Sequence, residues 1–195
     1  MNRRRAIQQA HERAQVEAFI TWLNSRYRAR YEVVAEPNPP EAIIRSGRTT
    51  RWVEVTDAFW NDAFAQDEYS YATPGEKHKP IGNGPFVEPD AQFAARFVDA
   101  VRKKLEKTSY LPSVQAYGPG YLVVPIMYPL FNSHSLWYMK QIWASTQIND
   151  LGYFRSIYMS VQMGRGPIVR WSEYGRAANM AVQQTAYGGH PSSPG

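Results

Sequence analysis

A nearly unbroken apolar run, Tyr121–Met127 (YLVVPIM), constrains the fold of this 195-residue chain more than any other segment. A continuous apolar run is typical of a strand that is buried on both faces, because a strand with one solvated face alternates apolar and polar residues. The preceding Gly118-Pro119-Gly120 predicts a turn. Pro125 has no N–H for a ladder, so we expect it to mark the end of the strand or a bulge. The run therefore predicts the central strand of a sheet.

Segments with helical periodicity lie before and after this strand in the sequence. Apolar residues recur at helical spacing over residues 5–27 and again over residues 90–108, where Asp90 is the expected N-cap. Ser135 can cap a third helix over Leu136–Gln147. Residues 60–90 lack periodicity and predict a long loop, with a short helix near Trp60–Ala65.

Shorter runs predict further strands. They are Tyr31–Ala35, Ala42–Arg45, Arg51–Asp57, Tyr153–Met163 and Pro167–Glu173, the last two forming a hairpin. With the helices, they predict an α/β or α+β domain whose mixed sheet is flanked by helices and ends in a helix and a hairpin. We expect a single domain over residues 1–185 and a disordered tail over residues 186–195, whose composition is rich in Gly, Ser and Pro.

The hairpin around Ser46-Gly47-Arg48-Thr49 carries a geometric prediction. Gly47 at the first central position fits a type II′ turn, so Ser46 is expected to pair with Thr49. In that register Glu41 lies directly opposite Glu54, with Cβ atoms about 4.5–5.5 Å apart on one face. Facing carboxylates are destabilising unless a proton or a cation lies between them. The hairpin therefore predicts a site that can hold a cation.

The side chains around Glu54 follow from strand alternation. Thr56, two residues on, is expected on the same face as Glu54, while Val53 and Val55 point into a core. Carboxylates with substrate phosphate are the usual ligands of Mg²⁺ in proteins. An alternative stays open, in which the two glutamates and the threonine are ordinary surface residues of a hairpin.

The order of elements and these residues resemble the PD-(D/E)xK nuclease superfamily, the restriction-endonuclease-like fold. In that family a helix precedes a strand and a hairpin, an acidic residue opens one hairpin strand, and Glu-x-Lys lies on the next. Here Pro40-Glu41 stands for Pro-Asp, and Glu54-Val55-Thr56 stands for Glu-x-Lys. The lysine-rich helix stretch 101–107 (VRKKLEK) is similar to one in several members. The resemblance covers roughly residues 5–127.

The resemblance implies roles for several side chains. Glu41 and Glu54 would hold Mg²⁺ or Mn²⁺, and Glu12, on the apolar stripe of the first helix, would complete the metal site. Thr56 occupies the position of the family's catalytic lysine but carries no positive charge. In some branches that lysine comes from the following helix, where Lys104 lies at the edge of the buried stripe and Lys103 faces away from it. The implied activity is hydrolysis of DNA or RNA phosphodiesters, retained or degenerate; the alternative is a non-catalytic domain that binds nucleic acid or protein.

The net charge of +5 is concentrated at the start of the chain. Residues 1–30 contain seven arginines and only two acidic residues. A basic first helix can contact nucleic-acid phosphates, and Arg3, Arg4, Arg5 and Arg13 are the candidates. A solvated helix face is the alternative explanation of the same charges.

Composition excludes several classes of protein. The chain has no cysteine, so a disulfide scaffold and a thiolate zinc site are excluded. No apolar run is long enough to span a bilayer, and the basic start is not followed by the apolar segment of a secretory signal. We therefore expect a cytoplasmic protein without a membrane partner.

Overall fold

The computed structural model describes residues 3–82, 87–146, 148 and 150–171. Within these residues the chain is a mixed α/β fold. The strands are β1 (Glu32–Ala35), β2 (Ala42–Ser46), β3 (Thr49–Val55), β4 (Ala58–Phe59), β5 (Gly120–Met127), β6 (Phe154–Ser160) and β7 (Ile168–Arg170). The helices are α1 (Arg3–Tyr27), α2 (Asp62–Ala72), α3 (Pro89–Leu105), α4 (Leu111–Tyr117), α5 (Ser133–Ser145) and α6 (Val161–Gly164), with a 3₁₀ turn at Thr108–Tyr110.

The strands form one mixed sheet in the order β1-β2-β3-β5-β6-β7, and β4 continues the pairing along β5 beyond the end of β3. The pairs β1/β2, β2/β3 and β6/β7 are antiparallel, whereas β3/β5 and β5/β6 are parallel. The parallel pairs need crossover connections, which contain α3 and α5. Every residue of β5 is buried, as expected for a central strand.

Helices cover the sheet on both faces. Helix α1 packs against alternate residues of β2 and β3 through a stripe of apolar side chains: Val16, Phe19, Ile20 and Leu23. Helices α3 and α5 pack on the opposite face, where Phe97, Val101, Met139 and Trp143 join Trp52 in a second core. The predicted mixed sheet flanked by helices, ending in a helix and a hairpin, is confirmed.

The hairpin of β2 and β3 has the predicted register. Ser46 pairs with Thr49 and Ala42 pairs with Val53, so every pair from the turn to the strand ends agrees with the prediction. Gly47 has a φ of 56°, a backbone conformation that costs glycine little, and Arg48 is not among the residues with positive φ. The turn chemistry therefore fixed which residues of the two strands face each other.

Several elements differ from the sequence predictions. The expected long loop contains an 11-residue helix, α2, which Asn61 caps by accepting a hydrogen bond from the Phe64 N–H. Asp90 is not the N-cap of α3, because Glu88 holds that position and Asp90 lies in the first turn, where its carboxylate accepts a hydrogen bond from Ser135. Pro125 lies inside β5, level with the break between β3 and β4, where the ladder is interrupted.

Two further predictions concern the ends of the molecule. Tyr27 continues the helical spacing of α1 but is 57% exposed, because it lies at the last residue of the helix. The predicted tail, residues 186–195, and the end of the predicted domain at residue 185 lie outside the described residues. None of the helices in the described ranges has the length and apolar character needed to cross a membrane.

Candidate functional site

A polar cleft of about 290 Å³ lies where β2 begins and β3 ends. The first turns of α1 form one of its sides, because the buried residues of that helix lie between Gln15 and Leu23 and the preceding turns extend past the sheet. Its wall includes six charged side chains: Arg5, Glu12, Glu41, Glu54, Lys104 and Lys107. The candidates Glu12, Glu41, Glu54 and Lys104 thus come together from four different elements of the chain.

Glu54 is the most buried charged residue of the cleft. It lies next to the end of β3 and is 1% exposed. The Lys104 ammonium of α3 donates to Oε1 of Glu54 at 2.5 Å. A carboxylate in this position needs a partner, since an unpaired buried charge is strongly destabilising. Lys103, one residue earlier, instead pairs with Asp99 at 2.7 Å on the exposed side of α3. The predicted difference between the two lysines is confirmed.

Glu41 lies one residue before β2 and lines the same cleft as Glu54. Burial raises the pKa of its carboxyl to about 7, and the neighbouring charges of Glu12 and Glu54 raise the pKa further, against an opposing effect of Lys104. A carboxyl group with this pKa holds a proton about half the time at neutral pH. The cleft therefore has a site that exchanges a proton under physiological conditions.

Glu12 reaches the same site from α1. Its Oε1 accepts a hydrogen bond from the Gln8 side chain, one turn earlier, at 2.9 Å. Burial raises the pKa of Glu12, with smaller contributions from Asp57 and Glu54. The proximity of the Glu12 and Glu41 carboxyl groups also raises the pKa of Glu41. Two neighbouring carboxyl groups disfavour full ionisation of both, because like charges repel.

Burial is the largest cause of both raised pKa values, and the charges of neighbouring carboxylates add to it. A bound divalent cation would favour the deprotonated forms of Glu12 and Glu41. The donor atoms are all carboxylate oxygens, which is the ligand type that Mg²⁺ and Mn²⁺ prefer. Within the described ranges, however, no three His, Asp or Glu side chains are already arranged around a common metal position.

A second hollow of about 350 Å³ adjoins the first and shares Glu12 and Glu41 with it. Arg13 and Glu36 lie on its wall, 3.6 Å apart. The two glutamates therefore stand between two open spaces, one with Lys104 and Lys107 and the other with Arg13. A ligand longer than the first hollow has room to continue past the carboxylates into the second.

The other candidate residues are placed differently. Thr56 is not among the described residues that line the first hollow; its backbone N–H donates to the Val123 carbonyl at 3.0 Å. Arg3 donates to the carbonyl of Pro74 at 3.3 Å, and the Arg4 guanidinium lies 5.2 Å from the ring centroid of Tyr69, so both turn toward the α2 side. Of the three consecutive arginines, Arg5 lines the cleft.

The structure adds two residues that the sequence did not single out. Lys107 lines the cleft, and its Nζ lies 5.3 Å from the ring centroid of Tyr110. Tyr110 is fully buried beside Glu54. Burial raises the pKa of the Tyr110 hydroxyl, and the Glu54 carboxylate raises it further. The 3₁₀ turn that carries Tyr110 has no periodicity, so only the folded structure reveals this contact.

A separate polar network lies near the cleft. His11 contacts Asp57 at 2.9 Å, and the Tyr69 hydroxyl donates to the other oxygen of Asp57 at 3.2 Å. The hydrogen bond to Asp57 raises the pKa of His11, against the opposing effect of burial. This network ties the early turns of α1 to α2 and to the segment after β3, and so it holds Glu12 at the cleft.

The chain matches no protein-family model, no curated protein and no solved structure. The proposal below therefore depends on the chemistry and geometry of the cleft itself.

Proposed function

We propose that this protein is a metal-dependent phosphodiesterase that acts on DNA or RNA, with a core of the restriction-endonuclease type. One observation carries the proposal: Glu12, Glu41, Glu54 and Lys104 meet at a single cleft. The succession of α1, β1 and the β2/β3 hairpin, followed after further elements by α3 and the parallel strand β5, also supports the proposal. As part of the same proposal, the cysteine-free chain would act in the cytoplasm.

Glu41 and Glu54 would hold Mg²⁺ or Mn²⁺, with Glu12 as a further ligand. When bound, such an ion supplies a Lewis acid for the phosphoryl oxygen and lowers the pKa of a bound water. The donor set supports this assignment, because three carboxylates line one cleft and carboxylate oxygen is the ligand type that both ions prefer.

Lys104 would supply the positive charge that Thr56 cannot. Its ammonium already points into the cleft from α3 and is held there by Glu54. In hydrolysis a water oxygen bonds to phosphorus while a bond from phosphorus to a sugar oxygen breaks, and negative charge grows on the phosphoryl oxygens. A cation placed beforehand at that position stabilises the transition state.

Arg5 and Lys107 would bind the phosphates that flank the cleaved bond. Both lie on the wall of the first hollow, and they bring positive charge to a cleft that also contains three carboxylates. Phosphate contacts of this type position a nucleic acid without reading its sequence. Arg13, on the second hollow, would contact the strand beyond the carboxylates.

A second candidate is a non-catalytic domain on the same fold that binds nucleic acid or protein. The ion pair at 2.5 Å between Lys104 and Glu54 favours it, because a lysine committed to a structural pair is not available to a substrate. Thr56 in place of the family's lysine favours it too. The two candidates differ in whether Lys104 leaves Glu54 when a cation and a phosphate arrive.

The deciding experiment is cleavage of single- and double-stranded DNA and RNA with Mg²⁺ or Mn²⁺, by the parent and by Glu54→Gln and Glu41→Gln. We expect the parent to cleave. Each variant should cleave more slowly by about 10²–10³-fold, the usual effect of removing one stabilising group. Glu76→Gln, on an exposed residue of the 73–82 segment, is the matched control. A parent that binds these nucleic acids but cleaves none of them would establish the second candidate.

A further inference from the structure

Two buried polar atoms lie beside the cleft without a hydrogen bond. They are Oε2 of Glu54 and the hydroxyl of Tyr110: neither makes a hydrogen bond of normal geometry to a described residue, although the two groups are close enough for the Glu54 carboxylate to raise the pKa of the hydroxyl. Glu54 is 1% exposed and Tyr110 is 0% exposed, so bulk solvent does not reach these side chains. Orphaned groups of this kind are rare in folded proteins and call for an explanation from function or from another state.

The ring of Tyr110 is held firmly in place. It stacks on Trp52 with centroids 5.3 Å apart at 24°, and Phe154 packs edge-on at 5.3 Å. Trp52 precedes Glu54 by two residues in β3, so the two side chains share one face of the sheet. The stack therefore sets the Tyr110 hydroxyl against the Glu54 carboxylate. Because the pKa of this hydroxyl is raised, the hydroxyl stays protonated and can donate a hydrogen bond to an acceptor.

The other oxygen of Glu54 is already used. Oε1 accepts from Lys104, and this contact fixes the carboxylate as long as Lys104 stays. If Lys104 moves to a phosphate, Glu54 loses its one strong donor and is free to turn. A second donor on Oε2 would prevent this, and the Tyr110 hydroxyl is the orphaned donor beside it.

We infer that Tyr110 is a positioning residue for Glu54: its hydroxyl donates to Oε2 when Lys104 gives up Oε1, and so keeps Oε1 directed into the cleft. The inference rests on the proposed function in one respect, because a cation bound at Oε1, with or without substrate phosphate, is what draws Lys104 away. Groups that orient a metal ligand in this way commonly change metal affinity by about 10- to 100-fold when they are removed.

The first test needs no cation. A double-mutant cycle combines Tyr110→Phe with Lys104→Met and measures unfolding by denaturant. In the parent, Tyr110→Phe is expected to leave the unfolding equilibrium nearly unchanged, because it removes a hydroxyl without a partner. In the Lys104→Met background it should raise the unfolding constant about tenfold, because Tyr110 is then the remaining donor to Glu54. Equal effects in both backgrounds would overturn the inference.

The second test measures Mn²⁺ binding by calorimetry for the parent and for Tyr110→Phe. We expect the affinity to fall about tenfold or more in the variant, while its stability is retained. Tyr128→Phe is the control, because Tyr128 is a buried tyrosine beside a different carboxylate, Asp90. Unchanged affinity in Tyr110→Phe would overturn the inference for the loaded cleft. If the cycle shows coupling but the parent binds no Mn²⁺, the positioning role stands and the proposed function falls.

Discussion

The Lys104 ammonium and Oε1 of Glu54 lie 2.5 Å apart, although 50 residues separate them in the chain. Lys104 is 21% exposed and Glu54 only 1%, so the pair joins the rim of the cleft to its floor. This geometry gives Lys104 two tasks that a substitution would disturb together: it neutralises a buried carboxylate, and it presents a positive charge to the cleft.

Lys104→Ala is therefore expected to lower both activity and stability. Loss of a charge placed at the transition state should reduce Mg²⁺-dependent cleavage by about a hundredfold. Breaking a buried ion pair by removing one partner costs about 3–5 kcal/mol, and the partial exposure of Lys104 makes this an upper figure. Cleavage assays and denaturant unfolding measure the two effects. Lys103→Ala is the matched control and should change neither, because its partner Asp99 is exposed.

The raised pKa of Glu41 predicts how stability depends on pH. Its folded-state pKa of about 7 lies above the ordinary 4.5, so the folded protein binds more protons than the unfolded chain between these values. The stability from this group is present in full below the lower value and is lost as the pH rises through the higher one. Glu41→Gln mimics the protonated form, so it should match the parent in Tm at about pH 4 and exceed it at about pH 8. A Tm difference between variant and parent that is the same at both pH values would contradict this expectation.

Cation binding should release protons. Mg²⁺ or Mn²⁺ competes with the proton on Glu41, so affinity should rise with pH through the region of the Glu41 pKa. We expect about one proton to be released per cation near neutral pH, measured by calorimetry in buffers of different ionisation enthalpy. In Glu41→Gln the release should disappear along with most of the affinity. Tight binding without proton release would place the cation elsewhere.

The arginines of α1 should contribute unequally to nucleic-acid binding. Arg5 lines the cleft, whereas Arg3 contacts Pro74 beside α2. Arg5→Ala should reduce the slope of binding affinity against salt concentration by about one unit, through the loss of one phosphate contact. Arg3→Ala, a change of the same charge two residues away, should leave the slope as it is. Fluorescence anisotropy with a labelled single strand over a range of salt concentrations gives both slopes.

A glycine behind the cleft should tolerate no side chain. A Cβ on Gly120 would overlap the indole ring of Trp52, which stacks on Tyr110. Gly120→Ala should therefore destabilise the fold by about 1–3 kcal/mol and reduce cation affinity through the displaced ring pair. Gly82→Ala is the control, because a Cβ there meets nothing within 4 Å. Denaturant unfolding and calorimetry of both variants test the expectation.

The sequence predicted the parts of the site that depend on local geometry. The hairpin turn fixes the register of β2 and β3 as far as the pair Ala42 and Val53, next to Glu41 and Glu54, and helix periodicity separates Lys104 from Lys103. The alternation of strand side chains did not extend to Thr56, because β3 ends at Val55 and the next strand, β4, begins only at Ala58. Local patterns hold only as far as the element that carries them.

The remaining features depend on contacts between elements that no local pattern encodes. The orphaned Tyr110 hydroxyl comes from a 3₁₀ turn, and its meeting with Glu54 depends on how α3 and β5 are connected. The short helix predicted near Trp60–Ala65 is α2, and its extension to Ala72 was not predicted because the stretch contains few apolar residues, of which Phe64 is the buried one. Its stability comes from tertiary packing and from the Asn61 cap, not from an apolar stripe.

Helix α1 is anchored in the core along its second half only. Its second half is clamped in the core from Gln15 to Leu23, while its first half projects past the sheet and carries Glu12. The projecting half is steadied by side-chain contacts such as the one between His11 and Asp57. Unwinding of that half would cost far less than global unfolding, because it breaks few apolar contacts. Local unfolding of this half would disrupt the cleft while the core stays folded. Conditions that weaken these few contacts would therefore abolish binding at the cleft before the protein unfolds globally.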